Sequence, residues 1–239
     1  MSDSGNMTNA VQRLEALMLE KFANEPFHNL RLMYGPKIAA AVPGGTCSDK
    51  TQSFIAAATE AGFDVSLHSG FIDGREIHRL ARVRIDGRIC FADIGNGWPA
   101  LRIYPADAEM SFRCFGMEFR TEIGVGRVRI FLSKLERESL QLEIMTRCRP
   151  EAEIQAEIER RFTSGIVYPF SNSIRFSQVI GNRFLFLRGS RLEIHSETGF
   201  ESIDGIEAPQ VPLVIREHFG FDIQPYLGDG AVRSSGDRG

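Results

Sequence analysis

The stretch from Pro43 to Gly97 contains a cysteine, a histidine and an aspartate whose side chains could act together on an acyl group. Cys47 follows two glycines and precedes a predicted helix over residues 48–61, which ends at Gly62. The partial positive charge of a helix N-terminus favours a thiolate, so Cys47 is the candidate nucleophile. A free cysteine can equally be a small buried packing residue, and the choice depends on which groups lie beside it.

His78 and Asp93 lie on two alternating segments on either side of Asp86-Gly87, a dipeptide typical of tight β-hairpins. A two-residue turn there places Leu80 opposite Asp93. His78 then lies diagonally from Asp93 on the same face of the hairpin, within reach of a hydrogen bond between imidazole and carboxylate. The same count places Cys90 on the opposite face.

A thiol nucleophile needs a base to remove its proton, and that base needs a third group to fix its tautomer. Cys47, His78 and Asp93 supply these three groups, with His78 as the base. His68 is the rival base. It follows an alternating strand over residues 63–67 whose pattern directs His68 towards solvent, and no hairpin pairs it with a carboxylate.

At these residues the chain resembles the arylamine N-acetyltransferase family. That family carries an Arg-Gly-Gly-x-Cys-x-Glu motif, then a His, then an Asp-Val-Gly-Phe-Gly motif whose Asp lies fifteen residues after the His. Here Gly44-Gly45-Thr46-Cys47 is similar to the first motif and Asp93-Ile94-Gly95-Asn96-Gly97 to the last, and His78 and Asp93 keep the spacing. Less specific similarities, such as Pro26-Phe27-His28-Asn29-Leu30 and residues 166–170, extend the resemblance over nearly the whole chain.

The resemblance implies an α+β fold with a transglutaminase-like or cysteine-protease-like Cys-His-Asp core. Residues 1–62 would form an N-terminal helical domain that carries the nucleophile, and residues 63–148 a central antiparallel β-barrel-like domain that carries His78 and Asp93. Residues 149–239 would form an α/β lid that ends in a disordered tail. The periodicity of the chain agrees, because helical spacing gives way to period two at Phe63.

Composition limits the classes of function. The 239 residues carry a formal charge of −3, which gives no electrostatic reason to expect nucleic acid or an anionic membrane as a partner. The four cysteines show no CxxC pair or metal-ligand spacing, so we expect neither a metal site nor a disulfide framework. No signal-peptide pattern or long apolar run is present. We therefore expect a cytoplasmic enzyme.

The activity implied by the resemblance is ping-pong acyl transfer: Cys47 takes an acyl group, usually acetyl from acetyl-CoA, and a small amine then removes it. Phe27, Asn96 and Phe170 would line the substrate pocket. No bound cofactor is expected, since acetyl-CoA or another acyl thioester is a co-substrate. One alternative is an amide synthase that takes its acyl group from a carrier-protein thioester. Another is a cysteine hydrolase or a non-catalytic relative.

Three departures from the family motifs bear on the site. The family Arg before the glycines is Pro43 and its Glu after the Cys is Asp49, so the salt bridge that usually buttresses the nucleophile loop is predicted to be missing. The family Phe in the last motif is Asn96, which replaces an apolar pocket wall with a polar one. These differences predict retained chemistry and altered specificity, unless Asn96 is fully hydrogen-bonded and turned away from the cleft.

Overall fold

A computed structural model describes residues 3–160, 168 and 170–227. The first part of the chain is mainly helical. Its elements are α1 (Asp3–Asn24), strand β1 (Phe27–His28), α2 (Leu30–Tyr34), a 3-10 helix (Pro36–Ala40) and α3 (Cys47–Glu60). Leu14, Met18 and Phe22 recur every four residues along α1 and are buried, which fixes the face of α1 that packs on the core.

The centre of the chain forms one curled antiparallel sheet of eight strands, a half-barrel. Its strands, in chain order, are β2 (Asp64–Ile72), β3 (Arg75–Ile85), β4 (Arg88–Ala92), β5 (Tyr104–Pro105), β6 (Ser111–Cys114), β7 (Met117–Gly124), β8 (Arg127–Lys134) and β9 (Arg137–Met145). The order across the sheet is β5-β4-β3-β2-β9-β8-β7-β6. Strands β2 and β3 therefore lie inside the sheet, with partners on both sides.

The rest of the described chain contains α4 (Glu151–Arg160), a second antiparallel sheet and α5 (Val211–Phe219). The strands of this sheet that follow α4 are β10 (Arg175–Ile180), β11 (Arg183–Arg188), β12 (Arg191–Ser196) and β13 (Gly199–Ile203). Strand β1 forms the edge of this sheet beside β10, so a segment from the start of the chain joins strands from its last third.

The observed architecture confirms the predicted fold class, an α+β chain with N-terminal helices and a β-barrel-like centre. The predicted division into domains at residues 62 and 148 stays a prediction. The predicted disordered tail at residues 228–239 lies outside the described residues, as do most of residues 166–170. No helix in the described ranges has the length and apolarity needed to span a bilayer.

Candidate active site

Cys47 is the first residue of α3, and a tight loop delivers it there. Thr46 and Asp49 form a capping box: the Asp49 carboxylate accepts hydrogen bonds from the Thr46 backbone N–H and hydroxyl, both at 2.9 Å. Gly44 has φ +86°, and a Cβ there would lie 2.2 Å from the Pro26 carbonyl oxygen. Only glycine fits this approach, so the loop geometry before Cys47 depends on it.

The β3–β4 hairpin places His78 beside Asp93. The paired residues run from Ile85 opposite Arg88 to Ala81 opposite Ala92, which confirms the register predicted from the Asp86-Gly87 turn. Asp93 directly follows β4, and its Oδ1 lies 2.7 Å from His78 Nε2. Both side chains are buried, His78 being 2% and Asp93 1% exposed. The carboxylate can therefore fix the orientation of the imidazole.

The same imidazole contacts the Cys47 thiol. Burial lowers the pKa of His78, but the charge and hydrogen bond of Asp93, together with the contact to Cys47, raise it to about 10. Burial raises the pKa of the Cys47 thiol, but the hydrogen bond and charge of His78 and the Arg79 backbone N–H lower it below its usual value. Both shifts favour a thiolate–imidazolium pair over a neutral thiol and a neutral imidazole.

Among the described residues, the other three cysteines have no imidazole partner of this kind. Burial raises the pKa of Cys90 to about 11 and that of Cys114 to about 12. Cys148 is exposed. Among the four thiols, Cys47 alone stands at a helix N-terminus beside an imidazole.

The prediction that His68 faces solvent is wrong. His68 is 2% exposed, its Nε2 lies 2.8 Å from the Met145 carbonyl oxygen, and its ring stacks on Phe91. Strand β2 lies between β3 and β9 and is covered by helices, so the alternation of residues along it does not separate a wet face from a dry one.

Gly95 is a second position at which the site requires glycine, and sequence reasoning assigned it no role. A Cβ at Gly95 would lie 2.7 Å from the Cys47 Cβ and 2.7 Å from the Arg79 carbonyl oxygen. The same Arg79 carbonyl accepts a hydrogen bond from the Thr51 hydroxyl at 2.9 Å, which ties α3 to β3. The loop after Asp93 is therefore packed directly against the nucleophile.

The structure shows what supports the loop at Pro43, one of the positions that depart from the family motifs. His28, in the segment Pro26-Phe27-His28-Asn29-Leu30, has its Nε2 3.2 Å from the Pro43 carbonyl oxygen. Burial lowers the pKa of His28 to about 4, so its ring is neutral and can donate this bond. The His28 backbone N–H also donates to the Gly45 carbonyl at 2.8 Å. Neutral hydrogen bonds thus hold the nucleophile loop at Pro43.

Among the described residues, one cavity is lined by Cys47 and a second by Asn96, which bonds to Asp93, and Phe170 lines both. The first, about 320 Å³, is lined by Cys47 itself and by Ile77, Ile158 and a charged network of Glu76, Arg79, Arg149 and Glu157. We call it the thiol pocket. In the described part of the chain no group of three or more His, Cys, Asp or Glu side chains could hold a metal ion there or elsewhere.

The second cavity, about 410 Å³, brings together all three residues predicted to line a substrate pocket, Phe27, Asn96 and Phe170. We call it the aromatic pocket, because Trp98 and Phe186 also line it. The Asn96 side-chain oxygen accepts from the Trp98 backbone N–H at 3.3 Å, and its backbone N–H donates to Asp93 Oδ1 at 3.1 Å. Asn96 therefore faces the cavity while its backbone supports the triad carboxylate.

Known proteins were compared with this chain by sequence and by structure. No family model matches the chain, and no curated protein matches it in sequence. Solved structures do match. The Nocardia farcinica arylamine N-acetyltransferase is 20% identical with a TM-score of 0.77, and the match covers 94% of this chain and 89% of that one.

The Mycobacterium marinum arylamine N-acetyltransferase is 17% identical with a TM-score of 0.78, covering 92% of this chain and 90% of that one. The same M. marinum enzyme in complex with CoA is 17% identical with a TM-score of 0.75, again covering 92% and 90%. At these identities the likeness concerns the fold. The chain therefore has the arylamine N-acetyltransferase fold, as the resemblance of its motifs predicted.

Proposed function

We propose that this chain is a divergent arylamine N-acetyltransferase that transfers an acyl group from a thioester to an amine through an acyl-Cys47 intermediate. The observation that carries the proposal is the buried Cys47–His78–Asp93 array, with the thiol at the N-terminus of α3 and the imidazole 2.7 Å from the carboxylate. A thiolate held beside an imidazolium is the form that attacks a thioester carbonyl.

In the first half-reaction, the Cys47 thiolate attacks the carbonyl carbon of the thioester. The tetrahedral intermediate collapses with loss of the donor thiolate, which takes the proton from the His78 imidazolium. Acyl-Cys47, neutral His78 and a free donor thiol result. The backbone N–H groups of Cys47 and Ser48, in the first turn of α3, are our candidates for binding the oxyanion, since the first turn of a helix leaves its donors without helical acceptors.

In the second half-reaction, an amine attacks the acyl-Cys47 carbonyl. Neutral His78 accepts the amine proton as the C–S bond breaks, so the products are the amide and the restored thiolate–imidazolium pair. Asp93 keeps His78 in the orientation that both steps need.

Acyl-CoA is the proposed co-substrate, because a relative of the same fold, the M. marinum enzyme, has been solved with CoA. We propose that the thioester reaches Cys47 through the thiol pocket, because Cys47 itself lines that pocket. The amine would occupy the aromatic pocket, where Phe27, Asn96 and Phe170 meet. A wall with the polar Asn96 favours acceptors with a hydrogen-bonding group near the amine.

The proposal is tested by incubating the protein with acetyl-CoA alone and following free CoA thiol, then mapping the acetylated peptide by mass spectrometry. We expect one equivalent of CoA thiol, acetyl on the Cys47 peptide, and further release only after an amine is added. Cys47→Ala should abolish both, whereas Cys148→Ala, at the exposed cysteine, is the matched control.

Each alternative has a distinct outcome in this experiment. Continuous release of CoA thiol without an amine would identify a hydrolase. No acylation by acetyl-CoA, but acylation by an acetylated carrier protein, would identify a carrier-dependent amide synthase. No acylation by any thioester would refute the proposed function.

A further inference from the structure

The aromatic pocket contains two arginines that the triad chemistry does not use. Arg175 on β10 and Arg188 on β11 are direct cross-strand partners, so their side chains lie on the same face, and both line the cavity. Like charges directly opposite each other destabilise an antiparallel pair. Stability of the sheet therefore gives no reason for two arginines at these positions.

Neighbouring protein groups do not balance this charge. In the part of the chain that the structure describes, no carboxylate lies within ion-pair distance of Arg175 or Arg188. The third cation of the cavity is different, because Lys134 Nζ lies 2.8 Å from Glu193 Oε2. Burial and the charge of Arg188 lower the pKa of Arg175, which agrees with a repulsive, partly desolvated pair.

Between these arginines and the triad, the cavity has apolar aromatic walls. The Arg188 guanidinium carbon lies 5.7 Å from the Trp98 ring centroid and 5.6 Å from that of Phe186. The Phe27 and Phe170 rings meet edge to face at 6.3 Å. At the triad side, the cavity is lined by Asn96 and Gly97, which directly follow the Gly95 backbone that touches Cys47. A flat molecule in this space would meet the loop after Asp93 on one side and positive charge on another.

We propose that Arg175 and Arg188 bind an anionic group of the amine acceptor, so that the preferred acceptor is an aromatic amine carrying a carboxylate or a phosphate. Paired guanidinium groups suit both anions, since each offers several N–H donors in a fixed plane. The amine role rests on the proposed function, but binding of an aromatic anion does not. A phosphate of the acyl thioester has the same chemistry and is the competing source of the anion.

Binding can be measured without catalysis, because Trp98 is the single tryptophan and lines this cavity. Titration of its fluorescence with 4-aminobenzoate and with the neutral, similarly shaped 4-aminobenzamide compares the anion with its amide. We expect the anion to bind about 10-fold to 100-fold more tightly, the difference expected for charged hydrogen bonds. Arg175→Gln and Arg188→Gln should each remove most of this preference.

Arg183→Gln is the matched control, since Arg183 is exposed at the start of the same strand β11. Because the two arginines repel each other, Arg175→Gln should leave the Tm unchanged or raise it. Arg188→Gln also loses the ring contacts with Trp98 and Phe186, so its Tm should change little, which separates lost binding from lost folding. Equal affinity for acid and amide in the unmodified protein, or an unchanged preference in both variants, would overturn the proposal.

Kinetics of the two half-reactions distinguish the acceptor from the donor. Acylation is measured with acetyl-CoA and with S-acetyl-N-acetylcysteamine, a thioester without phosphate, and deacylation with the two amines. We expect the variants to slow deacylation by 4-aminobenzoate alone. Slower acylation by acetyl-CoA, with S-acetyl-N-acetylcysteamine unaffected, would assign the arginines to the donor and refute the acceptor role. Absence of acylation by either thioester would remove the proposed function and leave the fluorescence result standing.

Discussion

His78 and His68 lie on adjacent strands of one sheet, and each is 2% exposed, yet their proton affinities are shifted in opposite directions. Asp93 raises the pKa of His78 to about 10, whereas burial lowers the pKa of His68, whose Nε2 lies beside the Met145 carbonyl oxygen. Burial is common to both sites, so the carboxylate makes the difference. One ion partner can convert a packing histidine into a candidate base.

Replacing each of the two histidines by glutamine is expected to give the largest difference, measured in the rate of Cys47 acylation. His78→Gln should lower the rate of Cys47 acylation by about 10⁴-fold or more, because the nucleophile and its base act as a unit. His68→Gln should change that rate less than about 2-fold in the folded protein, since His68 is a core residue outside the triad. Stopped-flow release of CoA thiol measures both rates. Comparable losses in the two variants would remove the reason for choosing His78.

Removing the Asp93 carboxylate alone should remove the main cause that raises the pKa of His78, as in His68, which has no such partner in the described structure. Asp93→Asn should lower the acylation rate by about 10³-fold while the protein stays folded, because the imidazole loses both its orienting partner and its charge stabilisation. The ultraviolet absorbance of the thiolate should fall in parallel at neutral pH. Asp107→Asn, at an exposed carboxylate paired with Arg88, is the control. An unchanged thiolate signal in Asp93→Asn would contradict the account of the pair.

The effect of His78 on the Cys47 thiol can also be measured by alkylation. At about pH 6, iodoacetamide should label Cys47 at least about 10-fold faster than Cys148, although Cys148 is exposed and Cys47 is buried, because His78 lowers the pKa of the Cys47 thiol. Peptide mapping after a short exposure identifies the labelled site. His78→Gln should abolish the preference, and labelling of any other cysteine first would show that Cys47 is not the activated thiol.

The smallest expected effect is a loss of folding stability in acid. It depends on His28 and His68, whose pKa values are lowered in the folded protein. His28 has a folded pKa of about 4 against about 6.5 when unfolded, and His68 is shifted in the same direction. A lowered folded pKa contributes stability above the unfolded value, and this is lost as pH falls through the folded one. For His28 the loss is about 3 kcal/mol at most.

Urea unfolding at about pH 7 and about pH 4.5 measures this loss, which should be smaller in His28→Gln and in His68→Gln than in the unmodified protein. His78 has the opposite sign: its contribution is complete below about pH 6.5 and is lost as pH rises through about 10. An identical acid loss in both variants would show that neither histidine is held neutral.

Short-range turn chemistry accounts for what the sequence predicted. The Asp86-Gly87 turn fixed a register that brought His78 to Asp93. The dipeptides Gly181-Asn182 and Gly189-Ser190 occupy the corresponding turns between β10, β11 and β12. The same count around Gly181-Asn182 places Arg175 opposite Arg188, so the arginine pair was accessible from sequence once a cavity was known to lie there.

Contacts between distant segments were not accessible. The burial of His68 depends on β9 pairing with β2, and the support of Pro43 by His28 depends on β1 joining β10. Neither pairing is specified by a turn, because long stretches of chain separate the partners. The edge strand β13 is not apparent from sequence for another reason: most of its residues are exposed, so it lacks the apolar alternation that marks a strand.

The pairing of β1 with β10 has a consequence for the order in which the site is assembled during synthesis. The Pro26 carbonyl accepts a hydrogen bond from the Gly45 N–H, and the His28 N–H donates to the Gly45 carbonyl. His28 lies on β1, whose strand neighbour is β10. Cys47 leaves the ribosome long before β10 does. Until Arg175–Ile180 has emerged, the loop before Cys47 lacks the strand that supports it. The site around the reactive cysteine is therefore completed only when the last third of the chain is made.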